Sequence, residues 1–217
     1  MANGLTLYDY WRSSSAYRVR IALNLKGLSY QQAPVHLVRN GGQQNQAAYR
    51  ELNPLGLVPA LAHGGRVVVQ SLAICEYLEE SFEARPLLPA DPTGRAHVRG
   101  LVQTICSEIQ PLNNLSVMQF LKNEMALSDK AYGQWYGHWI ERGFQAIETW
   151  LQDSASGLFC HGDEPGLADC FLVPQVYNAE RFDCELGPYP RIREITARCR
   201  ALDAFSEAAP ERQSDAE

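Results

Sequence analysis

The stretch that decides the fold of the N-terminal part of the chain is VPALAHGGRVVVQS, residues 58–71. Short apolar runs flank the central His63, Gly64 and Gly65, a pattern that is typical of a β-hairpin. A proline immediately before the first of these runs interrupts strand pairing unless the Val58–Pro59 peptide bond has a special geometry. A cis bond would leave the backbone N–H and C=O of Val58 free to pair with an extended peptide, whereas a trans proline would mark an ordinary strand edge.

A helix is predicted directly after the hairpin, beginning at Gln70 and Ser71. Its apolar positions keep helical spacing: Ile74, Cys75, Leu78 and Phe82. The first N–H groups of a helix lack partners within it and lie at the positive end of its dipole, so they bind a carboxylate readily. Ser71 is therefore either a simple N-cap or, together with Val58 and Pro59, part of a groove for a short peptide that carries a free carboxylate.

The upstream residues complete a small α/β layer. Residues 5–8 alternate between apolar and polar and predict a strand. The segment RSSSAYRVRIAL, residues 12–23, predicts a helix with Ser13, Ser14 and Ser15 as candidate N-caps and Gly27 as its stop. A second strand is predicted within residues 28–37, and an irregular segment then leads to the hairpin. The three serines lack a Gly-x-Ser-x-Gly elbow and an evident His/Asp pair, so a nucleophilic serine is not expected.

The second half of the chain predicts helices alone. Residues 83–94 contain three prolines and are typical of a linker, and Asp91 with Pro92 predicts a helix start. Further helices are predicted over residues 96–106, 116–125, 130–151, 167–182 and 192–204, and the polar residues 209–217 are expected to be frayed. The predicted fold class is therefore α/β followed by all-α, with a first domain over 1–83, a linker over 84–92 and a helical domain over 93–217.

Composition excludes several classes of partner. The net charge of −6 provides no basic face, so neither nucleic acid nor an anionic membrane is expected as a partner. No apolar run approaches the roughly 20 residues that span a bilayer, and the first residues do not have the pattern of a signal peptide. The six cysteines lack metal-binding spacing and are expected to be reduced, mostly buried thiols of a cytoplasmic protein, with no metal site.

Taken in order, these motifs resemble those of the cytosolic glutathione transferases. The resemblance is sharpest to the zeta class, which comprises maleylacetoacetate and maleylpyruvate isomerases, and it extends over about residues 5–205. The segments that carry it are SSSAYRVRIAL (13–23), GGQQ (41–44), NP (53–54), VP (58–59), QSLAI (70–74), IQPLNNLS (109–116), AD (168–169) and LVPQVYNAERF (172–182).

The resemblance implies both architecture and activity. It implies a thioredoxin-like domain that binds glutathione as cofactor, a helical domain that binds a small dicarboxylate substrate, and a homodimer. The implied reaction converts maleylacetoacetate to fumarylacetoacetate, or maleylpyruvate to fumarylpyruvate, in the catabolism of aromatic amino acids or other aromatic compounds. The glutathione thiolate adds to the cis double bond, the resulting single bond rotates, and elimination regenerates glutathione. The alternatives are a broad-specificity transferase, a dehalogenase of α-halo acids, and a non-catalytic module of the same fold.

The resemblance also assigns roles to individual residues. Ser13 is the catalytic residue, whose hydroxyl hydrogen-bonds the glutathione sulfur. The residues expected to bind glutathione are Ser14, Ser15, Gln44, Val58, Gln70, Ser71, Gln110, Asn114, Leu115 and Ser116. Arg12 and Arg181 are expected to bind substrate carboxylates, because a guanidinium matches a carboxylate bidentately. Pro59 and Asp169 are expected to be structural.

Some of these assignments have alternatives. Gln110 and Asn114 could instead mark a polar helix break around Pro111. Arg181 could instead form a salt bridge with Glu180 or Asp183, although neighbours in a helix do not face each other. Arg18 and Arg20 are expected to be structural and to pair across the domain boundary.

The chain departs from the class pattern at two positions. Ser15 stands where the class often has a cysteine, so chemistry by a protein thiol at this position is excluded and the reaction has to rely on glutathione. Gly166 stands where a buried helix of the class usually begins with Ser or Thr, three residues before Asp169. Glycine is a tolerable N-cap, and Asp169 can still reach back to the N–H of the capping residue.

Overall fold

The computed structural model describes residues 4–152 and 155–217 and divides into two compact units. The first unit contains Met1–Leu87 together with Ala201–Glu217, and the second contains Leu88–Arg200. From the sequence we predicted that residues 201–217 belong to the helical domain. Those domain boundaries stay a prediction. The first three residues of the predicted domain 1–83 lie outside the described residues.

A four-stranded mixed sheet forms the centre of the first unit. Its strands are β1 (Leu5–Asp9), β2 (Tyr30–Pro34), β3 (Ala60–His63) and β4 (Arg66–Val69), in the order β2-β1-β3-β4. β1 runs parallel to β2 and antiparallel to β3, with Leu7 opposite Leu61. β3 and β4 form the predicted hairpin, in which Gly64 and Gly65 both have positive φ, as a tight two-residue turn between twisted strands requires.

Three helices accompany the sheet: α1 (Ser14–Leu25), α2 (Ala47–Leu52) and α3 (Ser71–Ser81). The predicted stop of α1 is confirmed, because Gly27 has φ 67° and the Leu28 N–H donates to Leu23 O over 2.9 Å. α1 and α3 pack together, and their inward residues are fully buried, Ile21 and Ile74 among them. α2 was not predicted, since its N-cap residue Gln46 makes no side-chain hydrogen bond to the helix.

The second unit consists of α4 (Pro92–Gln103), a π-helical continuation (Thr104–Ile109), α5 (Leu115–Asn123), α6 (Asp129–Trp150), α7 (Leu167–Arg181) and α8 (Pro190–Arg200). The predicted start of α4 is confirmed: Asp91 is its N-cap, and its carboxylate accepts from Gly94 N over 2.8 Å. α7 is buried along most of its length and packs against α4 and α8. None of the helices in the described ranges is both long enough and apolar enough to cross a bilayer.

The residues after Arg200 return to the first unit, where α9 (Asp203–Ser206) packs against α1. Residues 209–217 are not frayed, so that expectation is wrong: Asp215 accepts a hydrogen bond from Trp11 N, and Glu217 pairs with His36. Arg20 is structural, as expected, and one of its partners, Ala208, belongs to the predicted helical domain 93–217 but to the first unit of the structure. Its buried ion pair with Asp9, at 2.9 Å, and its bonds to Trp11 O and Ala208 O all lie within the first unit.

Candidate active site

The serine cluster lies at the N-terminus of α1. Ser13 is the N-cap, and its Oγ accepts a hydrogen bond from Ala16 N over 3.2 Å. Ser14 and Ser15 are the first two residues of the helix, so their N–H groups belong to the set that has no partner inside it. Because capping uses only the acceptor side of the Ser13 hydroxyl, its hydrogen remains available for an anion placed at this helix end.

The peptide bond between Val58 and Pro59 is cis, which is one of the two geometries that the sequence left open. Val58 is half-buried, and its backbone N–H and C=O make no hydrogen bond to any other described residue. The strand β3 begins two positions later, at Ala60. An extended peptide lying beside Val58 could therefore pair with it as an additional strand would.

Gln70 and Ser71 form the N-terminus of α3. Gln70 is the N-cap residue and has φ 73° and ψ 121°, a left-handed conformation that non-glycine residues rarely adopt; its side chain makes no capping hydrogen bond. Ser71 is 6% exposed, and its Oγ accepts from Arg18 Nη1 over 3.2 Å. The hydroxyl hydrogen of Ser71 and the first N–H groups of α3 are suited to a carboxylate.

Gln44 lies in a 3₁₀ turn (Gln43–Asn45). Its Nε2 donates to Leu37 O over 3.1 Å, while its buried Oε1 has no partner among the described residues. A buried amide oxygen without a donor is costly, so it favours a ligand that brings an N–H to this place. The neighbouring Gln43 is used differently, since its Oε1 accepts from His36 N.

The remaining predicted glutathione-binding residues lie in the second unit. Asn114 is the N-cap of α5, and its Oδ1 accepts from Ser116 N over 3.1 Å and from Ser116 Oγ over 3.0 Å. Leu115 is 41% exposed. Gln110 directly follows the π-helical segment as its C-cap residue. The helix break that we considered as the alternative for Gln110 and Asn114 is thus present, and Asn114 has a capping role whether or not it binds a ligand.

Arg181 is the last residue of α7 and is exposed. Its guanidinium lies near the rings of Tyr177 and Phe182, and Nη1 is 3.5 Å from Asn178 Oδ1. The salt bridge that we considered as its alternative is absent, because no carboxylate of the described residues pairs with Arg181.

Neither Glu180 nor any other acidic side chain of the described residues pairs with Arg181 or with Arg12. Glu180 is instead bound by both terminal nitrogens of Arg200, at 2.9 and 2.7 Å. In the first unit, Arg12 is exposed and lies 5.2 Å from the centre of the Trp11 ring, and within the described ranges it too has no acidic partner. Both arginines are therefore available to an anionic ligand.

Asp169 is a buried structural residue at the start of α7. Its carboxylate accepts from Gly166 N over 2.8 Å and from Cys160 N over 3.0 Å. Burial raises the pKa of this carboxyl, and the two backbone donors oppose that rise. Since Gly166 has no side chain with which to cap the helix, the bond from its N–H to Asp169 is the side-chain contact that holds the start of α7.

Two contacts near the site were not predicted, although Arg18 itself was expected to be structural. Arg18 holds the Ser71 hydroxyl, and Asp215 holds the backbone of Trp11 beside Arg12. The partners are 53 and 204 positions apart, so no local pattern connects them. Among the residues that the structure describes, no group of three or more acidic, cysteine or histidine side chains is placed to hold a metal ion.

The sequence and the fold of the chain are both similar to those of known proteins. Residues 3–80 match the family model of the glutathione S-transferase N-terminal domain. A probable maleylacetoacetate isomerase of Vibrio cholerae is 49% identical over 98% of both chains. A solved holo structure of maleyl pyruvate isomerase, described as a bacterial glutathione S-transferase in the zeta class, is 45% identical, with a TM-score of 0.94 over 98% of this chain and all of that one. The chain belongs to the zeta class of glutathione transferases.

Membership of the zeta class confirms the predicted fold. The four-stranded sheet with α1 and α3 is the thioredoxin-like part, and the helices from α4 to α8 are the helical part that the sequence predicts. A maleylacetoacetate isomerase from Anaeromyxobacter dehalogenans that is 45% identical has a TM-score of 0.88 over 100% of this chain and 99% of its own, and its structure contains glutathione in the active site.

Proposed function

We propose that the protein is a glutathione-dependent cis–trans isomerase of a maleyl dicarboxylate, either maleylacetoacetate or maleylpyruvate. The observation that carries this proposal is the N-terminus of α1, where Ser13 caps the helix through its oxygen and keeps its hydroxyl hydrogen for an anion. The names of the full-length relatives support the choice of reaction.

The first unit has groups that fit glutathione, a γ-linked tripeptide with a thiol, an amine and two carboxylates. Val58 offers an N–H and a C=O, both without a partner among the described residues, to the extended backbone of the tripeptide. The N-terminus of α3, with Ser71 and Gln70, suits a carboxylate and the amine beside it. The buried Oε1 of Gln44 would accept an N–H. Gln110, Asn114, Leu115 and Ser116 are proposed as further contacts from the second unit, and Ser14 and Ser15 as neighbours of the thiol.

Bound glutathione supplies a thiolate that adds reversibly to the conjugated double bond of the substrate and so permits its rotation. The role of Ser13 is to donate its hydroxyl hydrogen to the sulfur at the positive end of α1, which favours thiolate over thiol. Lowering the pKa of a thiol by one to two units corresponds to roughly 1.4 to 2.7 kcal/mol. At neutral pH this raises the thiolate fraction by about an order of magnitude. Ser15 supplies no thiol of its own.

The arginines are proposed to hold the substrate. Arg12 and Arg181 are both exposed and, among the described residues, have no acidic partner, so each can bind a substrate carboxylate bidentately. Fixed carboxylates orient the double bond, and positive charge beside the conjugated carbonyl favours the electron-rich form that develops during rotation. Since glutathione is regenerated, the net reaction is an isomerisation.

The proposal extends to the assembly and the setting of the enzyme. We propose a homodimer that acts in the cytoplasm, in the catabolism of aromatic amino acids or related aromatic compounds. The dimer is testable by sedimentation, in which a single species at the chain mass of 24.3 kDa across micromolar concentrations would contradict it.

The decisive experiment follows the conversion of each cis substrate, maleylacetoacetate and maleylpyruvate, with glutathione well below the substrate concentration. We expect complete conversion to the trans product without consumption of glutathione. Conversion that stops when glutathione is exhausted would instead indicate a transferase. The absence of any heat on titration with millimolar glutathione would exclude both activities and leave a non-catalytic module.

A further inference from the structure

The backbone of Trp11 is held on both sides by groups that are remote in sequence. Its N–H donates to Asp215 Oδ2 over 3.0 Å, and its C=O accepts from Arg20 Nη2 over 2.9 Å. Arg20 also donates from Nε to Ala208 O over 2.9 Å. Trp11 is therefore connected to residues 207–217, which we call the terminal segment, directly through Asp215 and indirectly through Arg20.

Trp11 directly precedes Arg12 and Ser13. In the proposed function Arg12 binds a substrate carboxylate and Ser13 donates to the glutathione sulfur. The Ser13 N–H donates to Tyr10 O over 2.9 Å, which closes a turn around Trp11 and Arg12. That bond fixes the two ends of the turn relative to each other. The contacts to Trp11 fix the turn relative to the rest of the unit, and hence the direction in which Arg12 and the Ser13 hydroxyl leave it.

The terminal segment is anchored firmly enough to act as a fixed point. Gln32 Nε2 donates to Gln213 Oε1 over 3.3 Å, and Gln213 in turn donates back to Ala209 O of its own segment over 2.8 Å. Glu217 pairs with His36 over 2.9 Å and with Arg39 over 2.5 Å. These bonds surround Asp215 on both sides in sequence, so its carboxylate is presented to Trp11 by a segment that is held independently of it.

We propose that Asp215 is a positioning residue for the isomerisation: by accepting the Trp11 N–H, it sets the place of the Ser13 hydroxyl and of Arg12. The inference rests on the proposed function. Asp215 acts through Trp11 and not by its charge. A carboxylate near a thiolate disfavours it, so removal of the charge alone would lower the pKa of the bound thiol, whereas loss of positioning would raise it.

The first test needs no ligand. Amide hydrogen exchange of the Trp11 N–H should be slow in the wild-type protein and clearly faster in Asp215→Ala, because an amide that loses its acceptor is exposed to exchange by local opening. Glu207→Ala is the matched control, since it removes an exposed carboxylate of the same segment that has no partner among the described residues, and it should leave Trp11 protected. Equal protection in wild type and Asp215→Ala would overturn the proposal.

The second test uses the complete enzyme with glutathione. A small displacement of a catalytic group costs up to about 100-fold in rate, so Asp215→Ala should lower kcat by roughly 10- to 100-fold with a smaller change in the KM for glutathione. The pKa of the bound thiol, followed by ultraviolet absorbance, should rise. Asp215→Asn keeps an oxygen acceptor without the charge and should retain most of the activity, and Glu207→Ala should retain all of it.

The outcomes separate this inference from the proposed function. If the wild-type protein neither binds glutathione nor isomerises either substrate, the proposed function fails and the role of Asp215 in the reaction fails with it, even if Trp11 loses protection in Asp215→Ala. If the wild type is active, a thiol pKa that falls in Asp215→Ala, or an Asp215→Asn variant as impaired as Asp215→Ala, would overturn positioning alone.

Discussion

Arg18 Nη1 donates a hydrogen bond to Ser71 Oγ over 3.2 Å, and both residues are buried, at 1% and 6% exposure. The bond connects α1 to the first residue of α3. It also explains how Ser71 can serve structure and ligand together, because accepting from Arg18 leaves the hydroxyl hydrogen of Ser71 to be donated.

We therefore expect Ser71→Ala to lower both the stability of the protein and its affinity for glutathione. Loss of an acceptor for a charged, buried donor should reduce the free energy of unfolding by about 1.5 to 3 kcal/mol. Denaturant unfolding and titration calorimetry measure the two effects. Ser81→Ala, at the exposed end of the same helix, is the control and should change neither quantity. An unchanged glutathione affinity in Ser71→Ala would show that Ser71 is structural only.

Gln70 offers a prediction in which stability and binding move in opposite directions. Its left-handed backbone, with φ 73°, is unfavourable for any residue with a Cβ, so Gln70→Gly should raise the free energy of unfolding by about 1 kcal/mol. The same change removes the amide that is proposed to hold glutathione, so affinity should fall.

The control for Gln70 is Ala126→Gly, which relieves a left-handed residue, with φ 50°, in the loop between α5 and α6. It should stabilise the protein and leave glutathione binding unchanged. Equal affinities of Gln70→Gly and wild type in calorimetry would remove Gln70 from the binding site.

Local chemistry determined which features could be predicted. The stop of α1 at Gly27, the hairpin at Gly64 and Gly65, and the start of α4 at Asp91 each depend on residues a few positions apart, and all three were predicted correctly. α2 was missed because it is only six residues long and its start lacks a capping side chain.

Contacts between residues far apart in the chain could not be predicted from the sequence. The bond from Trp11 to Asp215 joins residues 204 positions apart, and the polar composition of residues 209–217 favoured the opposite conclusion, a frayed end. The candidate site behaves similarly: its residue types follow from the family pattern, whereas the use of Asn114 as a helix cap and of Arg18 as the partner of Ser71 required the fold.

The hydroxyl of Ser13 has a structural and a proposed chemical role, and two substitutions separate them. Ser13→Ala removes the cap and should cost about 1 kcal/mol of stability, whereas Ser13→Gly should cost only a few tenths. Both remove the donor to the glutathione sulfur, so both should raise the pKa of the bound thiol and lower kcat more than they lower glutathione affinity. Ser15→Ala should have a much smaller effect. Absorbance titration of bound glutathione decides the matter, since an unchanged thiol pKa in Ser13→Gly would contradict the assigned role.

Arg181 should determine which substrates the enzyme accepts. Its guanidinium has no acidic partner among the described residues, so its substitution by methionine removes a cation without breaking an ion pair. If it holds a substrate carboxylate, the lost charge-assisted contact should cost roughly 1.5 to 3 kcal/mol, which is about 10- to 150-fold in kcat/KM for the dicarboxylate. Glutathione affinity and conjugation of a neutral aryl halide should change little in Arg181→Met.

The control for Arg181 is Arg200→Met, which removes the same charge from a residue that pairs with Glu180. An exposed ion pair contributes no more than about 1 kcal/mol, so this variant should isomerise nearly as well as the wild type. The measurement is kcat/KM for the dicarboxylate and for the neutral substrate in all three proteins. Equal losses on both substrates in Arg181→Met would mean that Arg181 supports the fold of the second unit. A loss confined to the dicarboxylate would mean that the guanidinium recognises the carboxylate while the double bond rotates.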